Sequence, residues 1–328
     1  MRVLFILKNN NGYSGAYSYG SSGLLNSARF VVDMLNHNGA EAWLVTVNDN
    51  NDIDREVTKF KPDTVIVEAL WVVPEKFDIL RTLHPNVKWV VRLHSDFPFL
   101  ATEGVAMQWL FEYPLHGVSV AFNDELTAEA FSELSYDVIF LPNYYPVGQC
   151  LEKHGNRALL HIGCFGAIRP LKNQLTQAIA AIRYADSVGK TLLFHVNATR
   201  CEQGGEAVLK NLRALFAGTR HYLVENSWKD HKEFLRLMSS MDLSLCVSFT
   251  ETFCIVAADA VNVGTPLLCS QQVPWASSTV STTDTEGIAK GIGKVLRHKS
   301  LYNAWNRYGL KKYSENAKKI WLKTLEKV

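Results

Sequence analysis

The chain has 328 residues, 47% of them hydrophobic and 20% charged, with a formal net charge of +2. Such a length outgrows a single core and predicts two domains, while the near-neutral charge excludes a chain that binds polyanions over its whole surface. No run approaches the roughly 20 apolar residues of a membrane-spanning helix, and the opening MRVLFILKNNNG lacks the long core and small-residue end of a signal peptide. Six cysteines without a Cys-x-x-Cys pair read as buried thiols in a reducing compartment, so a cytoplasmic location is expected.

Val3 to Leu7 is a continuous apolar run of the kind that forms a strand buried on both faces of a parallel sheet. The stretch from Lys8 to Ser22 that follows holds Gly12, Gly15 and Gly20 among Tyr13, Tyr17 and Tyr19, ahead of a helical pattern over Leu24 to Asn36. A strand, a glycine-rich loop and a helix in that order suit close approach of backbone to a ligand, although the spacing is not the Gly-x-Gly-x-x-Gly of a dinucleotide site. A mobile surface loop would explain the glycines as well. Strands are predicted at Ala42 to Val47, Thr64 to Glu68, Lys88 to Leu93, Gly117 to Ala121 and Val138 to Leu141. Helices are predicted between them at Asp52 to Phe60, Pro74 to Leu83, Glu103 to Tyr113 and Asp124 to Leu134. This alternation predicts a doubly wound sheet, in which ligands bind beyond the carboxyl ends of strands. Two loops fall at such ends, Glu68 to Val73 and His94 to Phe99. His94 directly follows a strand and lies near Asp96 in sequence, which makes it a candidate active-site group as well as an ordinary structural histidine.

Pro142 to Asn156 is turn-rich and reads as the connection to a second alternation. Its strands are predicted at Ala158 to Phe165, Leu192 to Val196, Tyr222 to Glu225, Leu243 to Val247 and Leu267 to Ser270. Its helices are predicted to about Val188 after Asn173, then over Glu206 to Phe216, His231 to Met241, Thr283 to Arg297 and Leu301 to Lys323. Two doubly wound, Rossmann-like α/β domains facing each other across a cleft are therefore expected. The first covers residues 1–145 on the acceptor side and the second residues 156–300 on the nucleotide side, with the terminal helix 301–328 packing back toward the first.

Two stretches of the second half carry chemistry. Arg169 and Lys172 lie three apart in the loop after the strand that Gly163 and Gly166 flank, so both cations can reach one ligand. In SFTETFCIVAADAVNVGTP, Glu251 precedes an apolar run that Thr252 is expected to cap, leaving the amides of Phe253, Cys254, Ile255 and Val256 and the positive end of the helix dipole for a phosphate. Asp259 falls eight positions after Glu251. Together these would clamp a diphosphate, with Glu251 holding sugar hydroxyls and Asp259 ribose hydroxyls.

Gly163 to Asn173, with its Arg-x-x-Lys-Asn, and Ser248 to Pro266, with its Glu-x7-Asp and Gly-x-Pro, resemble the motifs of the retaining GT-B-fold glycosyltransferases of the glycogen-synthase-like and sucrose-synthase-like family. That resemblance spans about Leu159 to Ser270 and implies transfer of a sugar from a nucleoside diphosphate, UDP foremost, with retained anomeric configuration and no bound metal. It implies catalytic roles for Arg169, Lys172, Glu251 and His94, the last facing the donor sugar. Gly12, Gly15, Gly166, Thr252, Phe253, Cys254, Ile255 and Asp259 would bind the donor. Two positions depart from the family: Asp259 stands for a glutamate, and Cys254 stands where the family often has glycine.

The short chain, the tyrosine-bearing loop and HSDFPFLATEGVAMQW also resemble compact glycosyltransferases of tailed phages, some of which act on hydroxymethylated bases in DNA. Modified double-stranded DNA is the acceptor this implies, in a host's cytoplasm, with Tyr13, Tyr17, Tyr19, Asp96 and Phe97 on the acceptor side and a flipped base stacking on the aromatics. A cell-surface glycan or a small metabolite is the alternative acceptor. A sugar-nucleotide epimerase, a non-catalytic nucleotide-sugar-binding protein and a nicotinamide-dependent dehydrogenase are the rival classes.

Overall fold

The computed structural model of the protein describes residues 1–9, 23–134, 136–148 and 159–327. The backbone divides into two units: Met1–Pro146 with Tyr313–Val328 form unit 1, and Val147–Lys312 form unit 2.

Unit 1 runs β1 (Arg2–Lys8), α1 (Gly23–Asn36), β2 (Glu41–Val47), α2 (Asp52–Phe60), β3 (Thr64–Glu68), α3 (Lys76–Leu83), β4 (Lys88–Leu93), α4 (Phe97–Leu100), α5 (Ala106–Glu112), β5 (Ser119–Phe122), α6 (Glu125–Glu133) and β6 (Val138–Phe140). Its six strands are parallel in the order β2-β1-β3-β4-β5-β6. The apolar runs are continuous because alternate residues serve two helix layers. Leu4, Ile6, Val65, Val67 and Val91 enter one core, and Val3, Phe5, Ile66 and Val90 enter the other.

Unit 2 repeats the pattern with β7 (Leu159–Gly163), α7 (Gln174–Ser187), β8 (Thr191–Asn197), α8 (Gly205–Ala217), β9 (Tyr222–Asn226), α9 (His231–Ser239), β10 (Leu243–Cys246), α10 (Ile255–Val263), β11 (Leu267–Ser270), β12 (Thr279–Val280) and α11 (Thr285–Arg297). Its parallel strands are ordered β12-β11-β10-β7-β8-β9. The order reverses between β7 and β10, and the crevice beyond the carboxyl ends at such a point is where doubly wound sheets take ligands. The loops leaving β7 and β10 are those that carry Arg169, Lys172 and Glu251.

The last helix, α12 (Lys299–Lys327), supplies residues to both units. Tyr302 joins the unit 2 core. Trp321, fully buried, packs on Phe5 with ring centroids 5.7 Å apart and donates its indole N–H to the Pro142 carbonyl at 2.7 Å.

Both sheets are the doubly wound parallel sheets that the alternation predicts, and the differences are local. Phe97–Leu100, expected as loop, is a single helical turn. The helix expected to reach Tyr113 stops at Glu112 and continues as a 3-10 turn, Tyr113–His116, because Pro114 has no amide to donate. The edge strand β12 has two residues and gave no periodic signal. Gly12, Tyr13, Gly15, Tyr17 and Tyr19 lie outside the described residues, as does Cys150. The other five cysteines are free thiols, four of them buried. Among the described residues no helix is long and apolar enough to cross a membrane.

Trp321→Ala removes a fully buried indole and orphans the Pro142 carbonyl. It is expected to cost unit 1 about 3–5 kcal/mol in denaturant unfolding, and a loss near zero would contradict the packing described.

Candidate functional site

The loop after β7 is shaped by backbone contacts before any charge is considered. Gly166 sits at φ +105° and donates its amide to the Asn197 side chain at 2.9 Å. Ile168 then pairs with the segment after β8, its amide bonding to the Arg200 carbonyl and its carbonyl accepting from Glu202, each at 2.9 Å. Gly205 is required here, since a Cβ at that position would lie 1.9 Å from the Ile168 carbonyl oxygen. Pro170–Lys172 form a 3-10 turn that ends on Asn173, at φ +56°, a left-handed conformation asparagine tolerates.

Buried amides then stitch this turn to the exit of β10. Asn173 donates to the Val247 carbonyl at 3.1 Å and to that of Thr282 at 2.7 Å. Gln177 donates to the Lys172 carbonyl at 2.8 Å and accepts from the Val247 amide at 2.9 Å. The Phe249 amide bonds to the Leu171 carbonyl at 2.9 Å. Two loops far apart in sequence thereby become one rigid surface.

On that surface Lys172 and Glu251 form an ion pair, Nζ to Oε1 at 2.5 Å, with side chains 15% and 8% exposed. The Ser248 hydroxyl donates to the same oxygen at 2.7 Å. Burial disfavours both charges, but each is outweighed by the other. The Lys172 ammonium, with help from Ser248 and Arg169, holds the Glu251 carboxyl below its usual value, and Glu251 holds Lys172 above its own. Arg169, in extended backbone, lies 3.6 Å from Glu202, which also takes a bond from Arg200 Nε at 2.6 Å. The two cations thus stand on one loop, each beside a carboxylate.

The helix after Glu251 starts later than expected. Thr252 is not its cap: α10 begins at Ile255 and Cys254 occupies the cap position. Cys254 is left-handed, φ +61° and ψ +81°, which strains a residue with a Cβ and which glycine adopts freely. The first intrahelical bond runs from the Ala258 amide to the Cys254 carbonyl at 3.2 Å. The first-turn amides are therefore those of Ile255, Val256 and Ala257, and the turn begins two residues later than the sequence suggests. Phe253 is buried, its ring against Trp275 and its carbonyl accepting the Trp275 indole N–H at 2.9 Å, so its side chain is core. Gly166 borders this turn, its would-be Cβ 3.9 Å from Val256. Asp259 is buried on the second turn and its Oδ1 pairs with His231 Nε2 at 2.7 Å.

In unit 1, His94 is held by a residue of the neighbouring strand, Glu68. Its Nε2 makes a short hydrogen bond to Glu68 Oε2. Glu68, fully buried, also takes two bonds from Arg92 Nη1, at 3.1 and 3.2 Å. Arg92 is equally buried; it donates to the Leu141 carbonyl at 2.9 Å and to Asn143 Oδ1 at 2.7 Å and lies 5.2 Å from the Trp321 ring. Burial, then the Arg92 charge, lower the His94 pKa against the pull of Glu68. Asp96 begins the turn Phe97–Leu100, and the half-exposed Phe97 ring stacks on Phe131 at 5.7 Å and 12°.

Glu68, Arg92, Glu202, His231 and Ser248 are among the residues of these clusters that escape the sequence reading. Only Ser248, three positions before Glu251, was within reach of a local pattern. A separate cavity, lined by Leu160, Tyr184, Lys190, Asp242 and Lys299, opens at the amino ends of the unit 2 strands and includes none of the candidate residues.

Two measurements check this geometry. Lys172→Met strands a buried carboxylate and is expected to cost about 3–5 kcal/mol in unfolding, whereas Lys172→Met with Glu251→Gln recovers much of that loss; a double variant no more stable than the single would contradict the pair. A histidine whose pKa is lowered on folding leaves the unfolded chain binding more protons below about pH 6.5, so unit 1 loses stability as pH falls through that value. His94→Gln should flatten the fall in stability below about pH 6.5, and an unchanged slope would contradict a His94 whose pKa is lowered on folding.

No protein-family model matches the chain. No curated protein matches it in sequence. Its backbone, however, is similar to solved structures over its whole length. OtsA in its apo form aligns with a TM-score of 0.72 at 12% identity, covering 100% of both chains. The α,α-trehalose-phosphate synthase (UDP-forming) of Burkholderia vietnamiensis aligns with 0.71 at 11% identity and 100% of both chains. Anabaena HepE in complex with UDP aligns with 0.66 at 12% identity, again over 100% of both. At such identities the likeness establishes architecture: the chain has the two Rossmann-like domains of the GT-B fold.

Proposed function

We propose that the protein is a retaining glycosyltransferase that moves a sugar from a nucleoside diphosphate, UDP foremost, to a hydroxyl acceptor. The observation that carries this reading is the Lys172–Glu251 pair, held with Arg169 on loops at the strand-order reversal of unit 2 and adjoining the first turn of α10. Structural neighbours that hold UDP, HepE, or UDP-2-fluoro glucose, the Escherichia coli trehalose-6-phosphate protein, support a nucleotide-sugar donor in a fold of this kind.

An arriving diphosphate offers Lys172 a second anion and meets the amides of Ile255 to Ala257 at the positive end of α10. Glu251, sharing Lys172 with the phosphate, accepts hydrogen bonds from sugar hydroxyls. As the bond from the anomeric carbon to the diphosphate oxygen breaks, Lys172 and Arg169 stabilise the charge that develops on that oxygen. The acceptor oxygen bonds to the same face of the sugar and its proton passes to the leaving phosphate. Positive charge comes from side chains and amides, so the proposal includes no metal. His94 is proposed as a catalytic group, as the sequence resemblance implies. The acceptor is proposed to be a hydroxymethylated base in DNA, and the exposed face of Phe97 is one surface on which such a base would stack.

The test incubates the protein with a panel of nucleotide sugars and with hydroxymethylcytosine DNA, unmodified DNA or oligosaccharides, reading nucleotide release and acceptor mass. Expected are release and a mass gain in the hydroxymethylcytosine arm, retained configuration by NMR, and a loss of about 10²–10³-fold in kcat for Lys172→Arg. A gain confined to the glycan arm would overturn the DNA acceptor. Product from the donor alone would favour an epimerase, and no turnover or binding of any donor would overturn the glycosyltransferase reading.

A further inference from the structure

Cations gather on the outside of unit 2, away from the clusters described above. From Gly287 to Lys312 the chain holds seven lysines and arginines and no aspartate or glutamate, although its formal net charge is only +2. The rest of the molecule is therefore net acidic, and this stretch is where a polyanion meets least repulsion. Lys290, Lys294 and Arg297 recur at the i, i+4, i+7 spacing that puts them on one face of α11, and all three are exposed. Lys290 is held by Glu286, one turn back, at 2.6 Å. Lys294, Arg297, Lys299 and Lys312 form no ion pair among the described residues.

After a single residue, His298, the chain enters α12. Tyr302 and Leu310 on its inner side are buried. Its outward side nevertheless carries Leu301, Trp305 and Tyr308, 47%, 50% and 69% exposed, and Lys312 comes next in the same row. The row is about 16 Å long. One exposed ring would need no explanation, but three large side chains in a row bordered by unpaired cations mark a contact surface. The helix beneath them is fixed. Asn303 donates to the Gly264 carbonyl at 2.8 Å, and Asn306 donates to the Ser278 hydroxyl and accepts from the Ser277 amide, each at 2.8 Å. Gly309 abuts the Trp275 carbonyl, which a Cβ would approach to 2.1 Å, and Trp275 is the residue that bonds the Phe253 carbonyl ahead of α10. The row thus starts beside Lys299, at the amino ends of the unit 2 strands, and runs toward the end that carries the candidate site.

A lipid surface takes a helix that turns a broad apolar side outward over several turns. Here that side is buried, and the outward row gives way to lysine after Tyr308. Separate cations with hydrogen-bonding rings between them suit a sugar–phosphate backbone instead. Ammonium and guanidinium groups neutralise phosphates, the Tyr308 hydroxyl can donate to a phosphate oxygen, and the Trp305 ring can lie against a sugar. We propose that the outward faces of α11 and of the first half of α12 dock a DNA duplex by its backbone, without regard to sequence, and lead it toward the end of unit 2 that holds Lys172 and Glu251. The inference takes its partner from the DNA-acceptor reading above and adds to it the surface that holds the duplex.

Fluorescence anisotropy with a labelled duplex, with and without hydroxymethylcytosine, is measured over a range of salt concentrations. The wild type is expected to bind both duplexes alike. Combining Lys294→Gln, Arg297→Gln and Lys312→Gln should lower the slope of log affinity against log salt by about 0.9 for each cation that meets a phosphate. Trp305→Ala with Tyr308→Ala should weaken binding severalfold with the slope little changed. Thermal melting checks that both variants stay folded. Wild-type affinity and slope in the cation variant would overturn the inference, as would a wild type that binds vesicles of equal parts phosphatidylcholine and phosphatidylglycerol but no duplex. Sugar transfer to hydroxymethylcytosine DNA at the wild-type rate in both variants would overturn the docking surface and leave the acceptor reading standing. Duplex binding with the predicted loss of slope, but without sugar transfer to the duplex, would uphold the surface and overturn the acceptor reading.

Discussion

Unit 2 depends on one buried ion pair, Lys172 with Glu251. Bringing two charges out of water costs several kcal/mol each, and their attraction offsets that only where the geometry is good and further hydrogen bonds complete it. Both conditions hold: Ser248 joins the pair, and Asn173 and Gln177 lock the two loops that carry it. Those amides tie the two loops to each other independently of the ion pair. The pair also sets a carboxylate against Lys172, which reduces the repulsion two uncompensated cations on one short loop would feel.

The buried cluster of unit 1 has a different logic. Arg92 is saturated by Glu68, Asn143 and the Leu141 carbonyl, with the Trp321 ring close by. It gathers the ends of β3, β4 and β6 and the terminal helix around one guanidinium. His94 is the partly exposed member of that cluster, at 15%. A fixed, neutral imidazole is what results when a histidine is buried next to an arginine and given a carboxylate to bond.

Strands with two buried faces announce themselves as unbroken apolar runs, so both sheets could be read from sequence nearly residue by residue; Thr64–Glu68 and Lys88–Leu93 are the clearest cases. Local signals failed where a neighbour in space decided the outcome. Thr252 has the chemistry of a cap, but tight packing of Phe253 on Trp275 and the left-handed turn at Cys254 delay the helix to Ile255. That turn gives a physical reason for the glycine common at this position in the family the sequence resembles. Asp259 was legible as an acid at the right spacing, whereas its partner His231 lies 28 positions earlier and no periodicity links them. Glu68 and Arg92 sit inside strand patterns in which a charged residue looks like an interruption, and only the parallel pairing of β3 with β4 reveals them as partners.

The central claim is that the loop cations and the first turn of α10 together hold a diphosphate. A crystal structure of the protein with UDP tests it most directly. Expected is the diphosphate against Arg169, Lys172 and the amides of Ile255 to Ala257, with the Lys172–Glu251 separation longer than 2.5 Å. A nucleotide bound elsewhere, with that pair closed, would contradict it.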